Sequence, residues 1–237
     1  MAVQERFGNR YEEPFGSRLV TSAKEEILHR VRRATHDVPK SEHPEDVPVE
    51  RGYREQDNDP HAEIVARFAE RAAEYEATVH RVSETDLPGA IAEACERRGI
   101  RTLVIPSSLP DTWVPDSVEA LRDGVRMRLS NEELDKSDGV LTGCALGISQ
   151  TGTIVLDAGE GQGRRALTLL PDYHLCVVRE DQVVGLVPEA FTKLAETVKS
   201  EGRAITFISG PSATSDIELN RVEGVHGPRT LEVLIVG

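Results

Sequence analysis

Basic residues, cysteines and long apolar runs are all scarce in this 237-residue sequence. Its 28 lysines and arginines face 41 aspartates and glutamates, which gives a net charge of −13. A protein with this balance has no basic surface that would neutralise a nucleic-acid backbone or an anionic lipid. No window approaches the ~20 apolar residues that span a bilayer, and the first residues lack a signal-peptide core. The sequence therefore predicts a cytoplasmic protein without a nucleic-acid partner or a membrane span.

The three cysteines, Cys95, Cys144 and Cys176, are far apart in the sequence. They share none of the short spacings typical of zinc sites or iron–sulfur clusters. We therefore predict buried thiols in a reducing compartment, and no metal, cluster or other cofactor held by this chain alone.

Two regions differ in composition. Residues 1–60 are polar and rich in charge and proline, with one amphipathic helix behind Ser22 that carries Ile27, Leu28 and Val31 on one face. Such a segment builds little core, so we predict an N-terminal arm with a mobile linker. Residues 61–237 alternate helical and strand patterns, which is typical of a parallel sheet covered by helices. The prediction is an α/β domain over 61–237.

The middle of this domain contains glycine-rich apolar runs. Residues 139–148 and 153–156 are separated by a polar turn, which predicts a hairpin-like pair inside the sheet. Thr151 and Gly152 in that turn either present a hydroxyl and amides to a ligand or serve the turn geometry alone. Residues 166–170 have the composition of a further strand.

A second glycine-rich turn runs from Gly159 through Gly161 and Gly163 to Arg164 and Arg165. A dinucleotide fingerprint requires such a turn to open a helix, whereas a strand-like segment follows here. Two interpretations remain, a flexible turn or a loop whose backbone amides and arginines hold an anion such as phosphate, carboxylate or the tail of coenzyme A. Gly161 and Arg164 are the predicted binding residues of this loop.

The strand at residues 205–208 leads into a polar loop with convergent functional groups. Its hydroxyls either cap the following turn or bind a ligand, and open α/β sheets usually bind ligands where strands end. In the functional interpretation Asp216, Glu218 and His226 act as acid–base groups, and Arg229 and the hydroxyls bind an acidic substrate. The predicted ligand-binding residues of this loop are Ser209, Gly210, Ser212, Thr214 and Arg229.

Several of these segments resemble a known family. Residues 151–153 (Thr-Gly-Thr), 170–174 (Leu-Pro-Asp-Tyr-His), 209–218 (Ser-Gly-Pro-Ser-Ala-Thr-Ser-Asp-Ile-Glu) and 224–229 (Gly-Val-His-Gly-Pro-Arg) are similar to the lactate-utilization protein C family of stand-alone LUD domains. The resemblance covers roughly residues 62–237. It implies a three-layer fold, a mostly parallel sheet between helices, like that of ribose-5-phosphate isomerase, glucosamine-6-phosphate deaminase and coenzyme A transferases.

The resemblance also implies a function. The chain is expected to be an accessory component of an iron–sulfur L-lactate-oxidising system that converts lactate to pyruvate. It would bind a small carboxylate or phosphate and interact with iron–sulfur partner proteins, but hold no cluster. A subunit of an L-lactate dehydrogenase-type complex is favoured over a stand-alone catalyst. The alternative is an independent enzyme acting on a sugar phosphate or a coenzyme A ester with an Asp, Glu or His base.

Overall fold

Short strands alternate with helices along the chain. The structure, a computed structural model, describes residues 22–39, 41–43, 46, 50, 52–214, 222–223 and 227–237, with the backbone alone for 213, 214, 222 and 223. The helices of these residues are α1 (Ala23–Ala34), α2 (His61–Glu74), α3 (Leu87–Arg98), α4 (Asn131–Asp135) and α5 (Val187–Glu201). The strands are β1 (Thr78–Val82), β2 (Thr102–Pro106), β3 (Glu119–Asp123), β4 (Gly139–Thr142), β5 (Leu146–Ile148), β6 (Thr153–Leu156), β7 (Tyr173–Arg179), β8 (Val183–Val184), β9 (Thr206–Ile208), β10 (Ala213–Thr214), β11 (Val222–Glu223) and β12 (Thr230–Val236).

The chain divides into two units, Met1–Gly52 and Tyr53–Gly237. In the first unit α1 begins at the capping box predicted from the sequence, in which Ser22 and Glu25 bond each other's backbone N–H groups. Its apolar residues Ile27, Leu28 and Val31 are exposed. The helix is therefore held by local capping within the described residues, without a buried face of its own.

A parallel sheet forms the centre of the second unit. Its strand order is β1-β12-β7-β4-β2-β3, and every adjacent pair is parallel. Strands β7 and β12 lie in the middle and are almost continuously buried, as expected for strands covered on both faces. The α/β class and the mostly parallel sheet predicted from the sequence are confirmed.

Helices α2 and α3 cover opposite faces of this sheet. Ile64, Val65, Phe68 and Ala72 of α2 recur at helical spacing and pack on the face that carries Cys176 and Val233. Helix α3 contributes Leu87, Ile91, Ala94 and Cys95 to the other face. It ends at Gly99, which adopts the left-handed conformation of a helix C-cap. The result is the predicted layer arrangement.

A second sheet packs beside α2 in the order β8-β5-β6-β9. The predicted hairpin is present as the antiparallel pair β5–β6, but it lies in this second sheet, whereas β4 from the same apolar run joins the main one. Helix α5 packs Ala190 and Leu194 on the outer face of the pair. The prediction that the hairpin lies inside the main sheet is wrong, because the chain changes sheet after Gly143.

The strand predicted for residues 166–170 is also wrong. The segment Arg165–Thr168 forms a 3-10 turn in which the Leu167 N–H donates to the Arg164 carbonyl at 3.0 Å. A short apolar run fits a strand and a buried turn equally well, since only the tertiary contacts distinguish them. Leu167 is fully buried in this turn.

Candidate functional site

A cavity of about 270 Å³ opens beside the loop that follows β9. The lining residues that belong to the described part of the chain are Arg165, Thr168, His174, Phe207, Ile208, Ser209, Gly210, Pro211, Ser212, Gly227, Pro228 and Leu231. His174 and Leu231 are paired neighbours near the starts of β7 and β12. The cavity therefore lies at the amino end of the main sheet and the carboxyl end of β9.

The loop after β9 is held close to α2 by a glycine. Gly210 has φ +83°, and a Cβ at this position would lie 2.3 Å from the backbone oxygen of Tyr75, the residue that caps α2. The Ser212 N–H donates to the Pro228 carbonyl at 2.8 Å. These contacts bring the predicted ligand-binding residues Ser209, Gly210 and Ser212 to one wall of the cavity.

A chain of hydroxyl groups leads from the β5–β6 turn to this wall. The Thr153 hydroxyl lies 2.7 Å from the Thr151 hydroxyl and 2.7 Å from that of Ser209. Thr151 and Ser209, which the sequence analysis selected separately, are therefore connected through Thr153, although Thr151 itself does not line the cavity. A hydroxyl both donates and accepts, so Ser209 retains hydrogen-bonding capacity toward a ligand.

Gly152 in the same turn has a packing function. Its φ is +58°, and an added Cβ would lie 2.4 Å from the backbone carbon of Arg71 in α2. The turn thus packs directly against the helix backbone. A ligand-binding role for Gly152 stays a prediction, and the observed contact accounts for glycine at this position.

Arg165 is the charged residue among the described residues of the lining. Its Nη1 donates to the carbonyl of Thr168 at 2.8 Å and to its hydroxyl at 3.0 Å. Burial lowers the pKa of the guanidinium from its usual value, although the group remains a cation at physiological pH. No carboxylate of the described residues forms an ion pair with it. The sequence analysis selected the preceding residue, Arg164, as the anion-binding arginine. The position of Arg165 in the same glycine-rich loop was the sequence signal that could have identified it.

Arg164 points to a different environment. It bonds Asp123 through Nε and Nη2, at 3.1 and 3.0 Å for the closest contacts, and Nη2 also donates to the Leu129 carbonyl at 2.5 Å. Asp123 is buried, so the pair joins the glycine-rich turn to the end of β3. Gly161 is tied in the same way, since its N–H donates to Ser108 and its carbonyl accepts from Gly143. Neither Arg164 nor Gly161 lines the cavity.

The remaining predicted site residues are placed as follows. Arg229 is exposed, pairs with Asp172 at 3.7 Å and is not itself a lining residue, although the preceding Pro228 is. Thr214 is described by its backbone in β10, which pairs with β11. Asp216, Glu218 and His226 lie outside the described residues, so their acid–base roles stay predictions.

His174 was missed by the sequence analysis as a site residue. It is almost fully buried, and its Nε2 lies 2.8 Å from the Thr142 hydroxyl at the end of β4. The same hydroxyl lies 3.9 Å from the Cys176 sulfur, so a polar group of three side chains backs the cavity wall. Hydrogen bonds from Cys144, His174 and Thr142 lower the pKa of the Cys176 thiol against the opposing effect of its burial.

Among the described residues, no three His, Cys, Asp or Glu side chains are placed to share a metal ion. No helix of those residues has the length and apolar character needed to cross a bilayer.

The fold defines an α/β protein with a parallel central sheet and a cavity at the amino end of that sheet. The LUD domain model matches residues 65–236, and the chain belongs to the LUD domain family. It is 52% identical over 176 residues to a lactate utilization protein C from Deinococcus radiodurans, which covers 74% of this chain and 81% of that protein. It is also 36% identical over 100 residues to a lactate utilization protein C from Halalkalibacterium halodurans, or 41% of this chain and 43% of that protein.

A solved structure shows the same fold. The crystal structure of a DUF162 family protein from Deinococcus radiodurans matches with a TM-score of 0.65 and 46% sequence identity, covering 75% of this chain and 99% of that chain. The family assignment made from the sequence motifs is therefore confirmed.

Proposed function

We propose that this protein is an accessory component of an iron–sulfur L-lactate-oxidising system, in which it binds a small anion and holds no redox cluster itself. The observation that carries the proposal is the 52% identity to a lactate utilization protein C over 176 residues. The LUD domain match, residues 65–236, includes every described residue that lines the cavity.

The cavity supports the ligand-binding part of the proposal. It combines one arginine that is free of acidic partners in the described residues with hydroxyl groups from Thr168 and Ser209. A guanidinium with unpaired N–H groups at a cavity favours an anionic ligand, because its hydrogen bonds to a carboxylate or phosphate are charge-assisted and stronger than neutral ones. The ligand-binding roles of Ser209, Gly210 and Ser212 are part of this proposal.

Copurification and growth test the function together. A tagged copy of the chain, expressed from its own locus in cells grown on L-lactate, is expected to bring down iron–sulfur proteins. Cells that lack the gene are expected to grow poorly on L-lactate and normally on glucose, which serves as the control. Recovery of the protein alone, combined with normal growth of the deletion strain on L-lactate, would overturn the proposal.

A further inference from the structure

We infer that the cavity binds a short monocarboxylate, and that Arg165 is the residue that holds the carboxylate, through its Nε and Nη2 edge. This inference rests on the proposed function and specifies the ligand of the same site. The charge of the cavity lining, the free edge of the Arg165 guanidinium and the size of the cavity each support it.

The guanidinium of Arg165 is held by Thr168 through Nη1, whereas its Nε and Nη2 edge makes no hydrogen bond within the described residues. Nη1 is engaged by the carbonyl and hydroxyl of Thr168, which fixes the plane of the group. Nε and Nη2 have no hydrogen-bond partner among the described residues. Two parallel N–H groups on one edge match the two oxygens of a carboxylate, which makes bidentate recognition possible without rearranging Arg165.

Three other arginines of the domain each lie beside a carboxylate. Arg164 is bound to Asp123, Arg203 lies near Asp157 and Glu201, and Arg229 lies near Asp172. Among the described lining residues, Arg165 is therefore the single permanent charge. One cation balances a carboxylate, whereas a phosphate monoester carries about −1.5 to −2 charges and three strong acceptor oxygens. The part of the lining that the structure describes thus favours a monoanion over a sugar phosphate.

The other walls limit the size and polarity of the ligand. Ile208, Leu231 and the two prolines, Pro211 and Pro228, contribute apolar side chains to the lining. A volume of about 270 Å³ lies near the lower end of ligand cavities, which typically span about 300 to 1,000 Å³. A chain of a few carbons is a better match for this space than coenzyme A. The Ser209 hydroxyl is available to bond an oxygen on the carbon next to the carboxylate.

Calorimetric titration of the full-length protein tests the ligand class. L-lactate and pyruvate are the carboxylate probes, methyl L-lactate is the uncharged control, and ribose 5-phosphate and acetyl coenzyme A represent the phosphate class. We expect binding of at least one carboxylate probe and none of methyl L-lactate. Tighter binding of ribose 5-phosphate or acetyl coenzyme A than of both carboxylates would overturn the inference, and so would the absence of binding by every probe.

Substitution of the arginine tests the residue assignment. Arg165→Met is expected to weaken carboxylate binding about 10- to 100-fold, since it removes a charge-assisted bidentate contact. Arg165→Lys is expected to restore part of the affinity, because it keeps the charge and loses the fork. Arg179→Met is the matched control, as Arg179 is partly exposed and pairs with Glu84 outside the cavity. Unchanged affinity in Arg165→Met, or an equal loss in Arg179→Met, would overturn the assignment.

The two proposals fail separately. If the probes do not bind but iron–sulfur proteins still copurify, the ligand assignment and the anion-binding part of the proposed function are lost, and the accessory role in lactate oxidation stands. Should the carboxylate bind while neither copurification nor the growth phenotype is seen, the ligand assignment survives and the accessory role is lost.

Discussion

Glu232 and Arg98 form an ion pair behind the parallel sheet, with 2.9 Å between the arginine Nε and the carboxylate Oε2. Arg97 binds the other carboxylate oxygen at 2.7 Å, and the Tyr173 hydroxyl donates to Oε2 at 3.1 Å. Glu232 lies on a central strand and is completely buried. The pair therefore connects the end of α3 to β12 through a carboxylate that has no access to water.

Replacing this carboxylate is expected to destabilise the protein. Glu232→Gln keeps the size of the side chain but removes the charge that satisfies the arginines and the tyrosine. Because Arg97 and Arg98 are partly exposed and regain some hydration, we expect a loss of about 1.5 to 3 kcal/mol in the free energy of unfolding. Urea denaturation measures this loss. Glu132→Gln, which alters a solvent-exposed pair with Lys136, is the control and is expected to change stability little.

The same carboxylate predicts a pH dependence. Burial raises the pKa of Glu232, but hydrogen bonds from Arg98 and Tyr173 outweigh it, so the pKa lies below its usual value. A lowered pKa contributes stability that is present above the unfolded value of about 4.3 and is lost as the pH falls through the folded value. The stability difference between the wild type and Glu232→Gln should therefore shrink as the pH is lowered from 5 toward 3, measured by urea denaturation. A difference that stays constant over this range would contradict the prediction.

Gly152 and Gly161 have similar backbone angles but different surroundings, so substituting each by alanine distinguishes the cost of backbone strain from the cost of steric overlap. Gly152 and Gly161 have φ of +58° and +72°, but an added Cβ at Gly152 would meet the Arg71 backbone, whereas at Gly161 it would meet nothing within 4 Å. Gly161→Ala is expected to cost about 1 kcal/mol from the backbone angle alone. Gly152→Ala is expected to cost about 2 to 4 kcal/mol, because overpacking is added. Equal thermal denaturation midpoints for the two variants would show that α2 yields to the added methyl group.

The adjacent arginines are expected to differ in their effect on stability. Arg164→Met leaves the buried carboxylate of Asp123 without its cation, although the Leu129 N–H still donates to it at 2.8 Å. We expect a loss of about 2 to 4 kcal/mol in the free energy of unfolding. Arg165→Met removes a cation that has no carboxylate partner in the described residues, so its loss should be below about 1 kcal/mol. Chemical denaturation of both variants provides the comparison, and a reversed order would contradict the structural assignment.

Much of the fold follows from local patterns. Ile64, Val65, Phe68 and Ala72 recur at helical spacing, and the structure buries all four on one face of α2. Capping chemistry located the start of α1 at Ser22. Helical periodicity and caps are encoded within a few residues, which is why a single sequence reveals them.

Assignments that depend on distant contacts were less predictable. Strands β4 and β5 belong to one apolar run, yet they pair in different sheets with β7 and β8. The turn Arg165–Thr168 has the composition of a strand, but it is set by the bond between Arg165 and Thr168 and by the burial of Leu167. The residues of a strand do not specify which distant strand it pairs with, so the sheet to which a strand belongs cannot be predicted from a local pattern.

The sequence by itself determined the family, the α/β class and the segment of the chain that carries the cavity loop, because those depend on local motifs and periodicity. The tertiary structure alone decided which arginine faces the cavity. Arg164 and Arg165 are chemically identical neighbours that differ in their partners. The carboxylate of Asp123 neutralises Arg164 and the Leu129 carbonyl accepts a hydrogen bond from it, although both residues are more than thirty positions away in the chain. Arg165 bonds Thr168 instead. A buried carboxylate is stable only beside a cation, and which arginine lies beside Asp123 depends on how the chain folds and not on the local sequence.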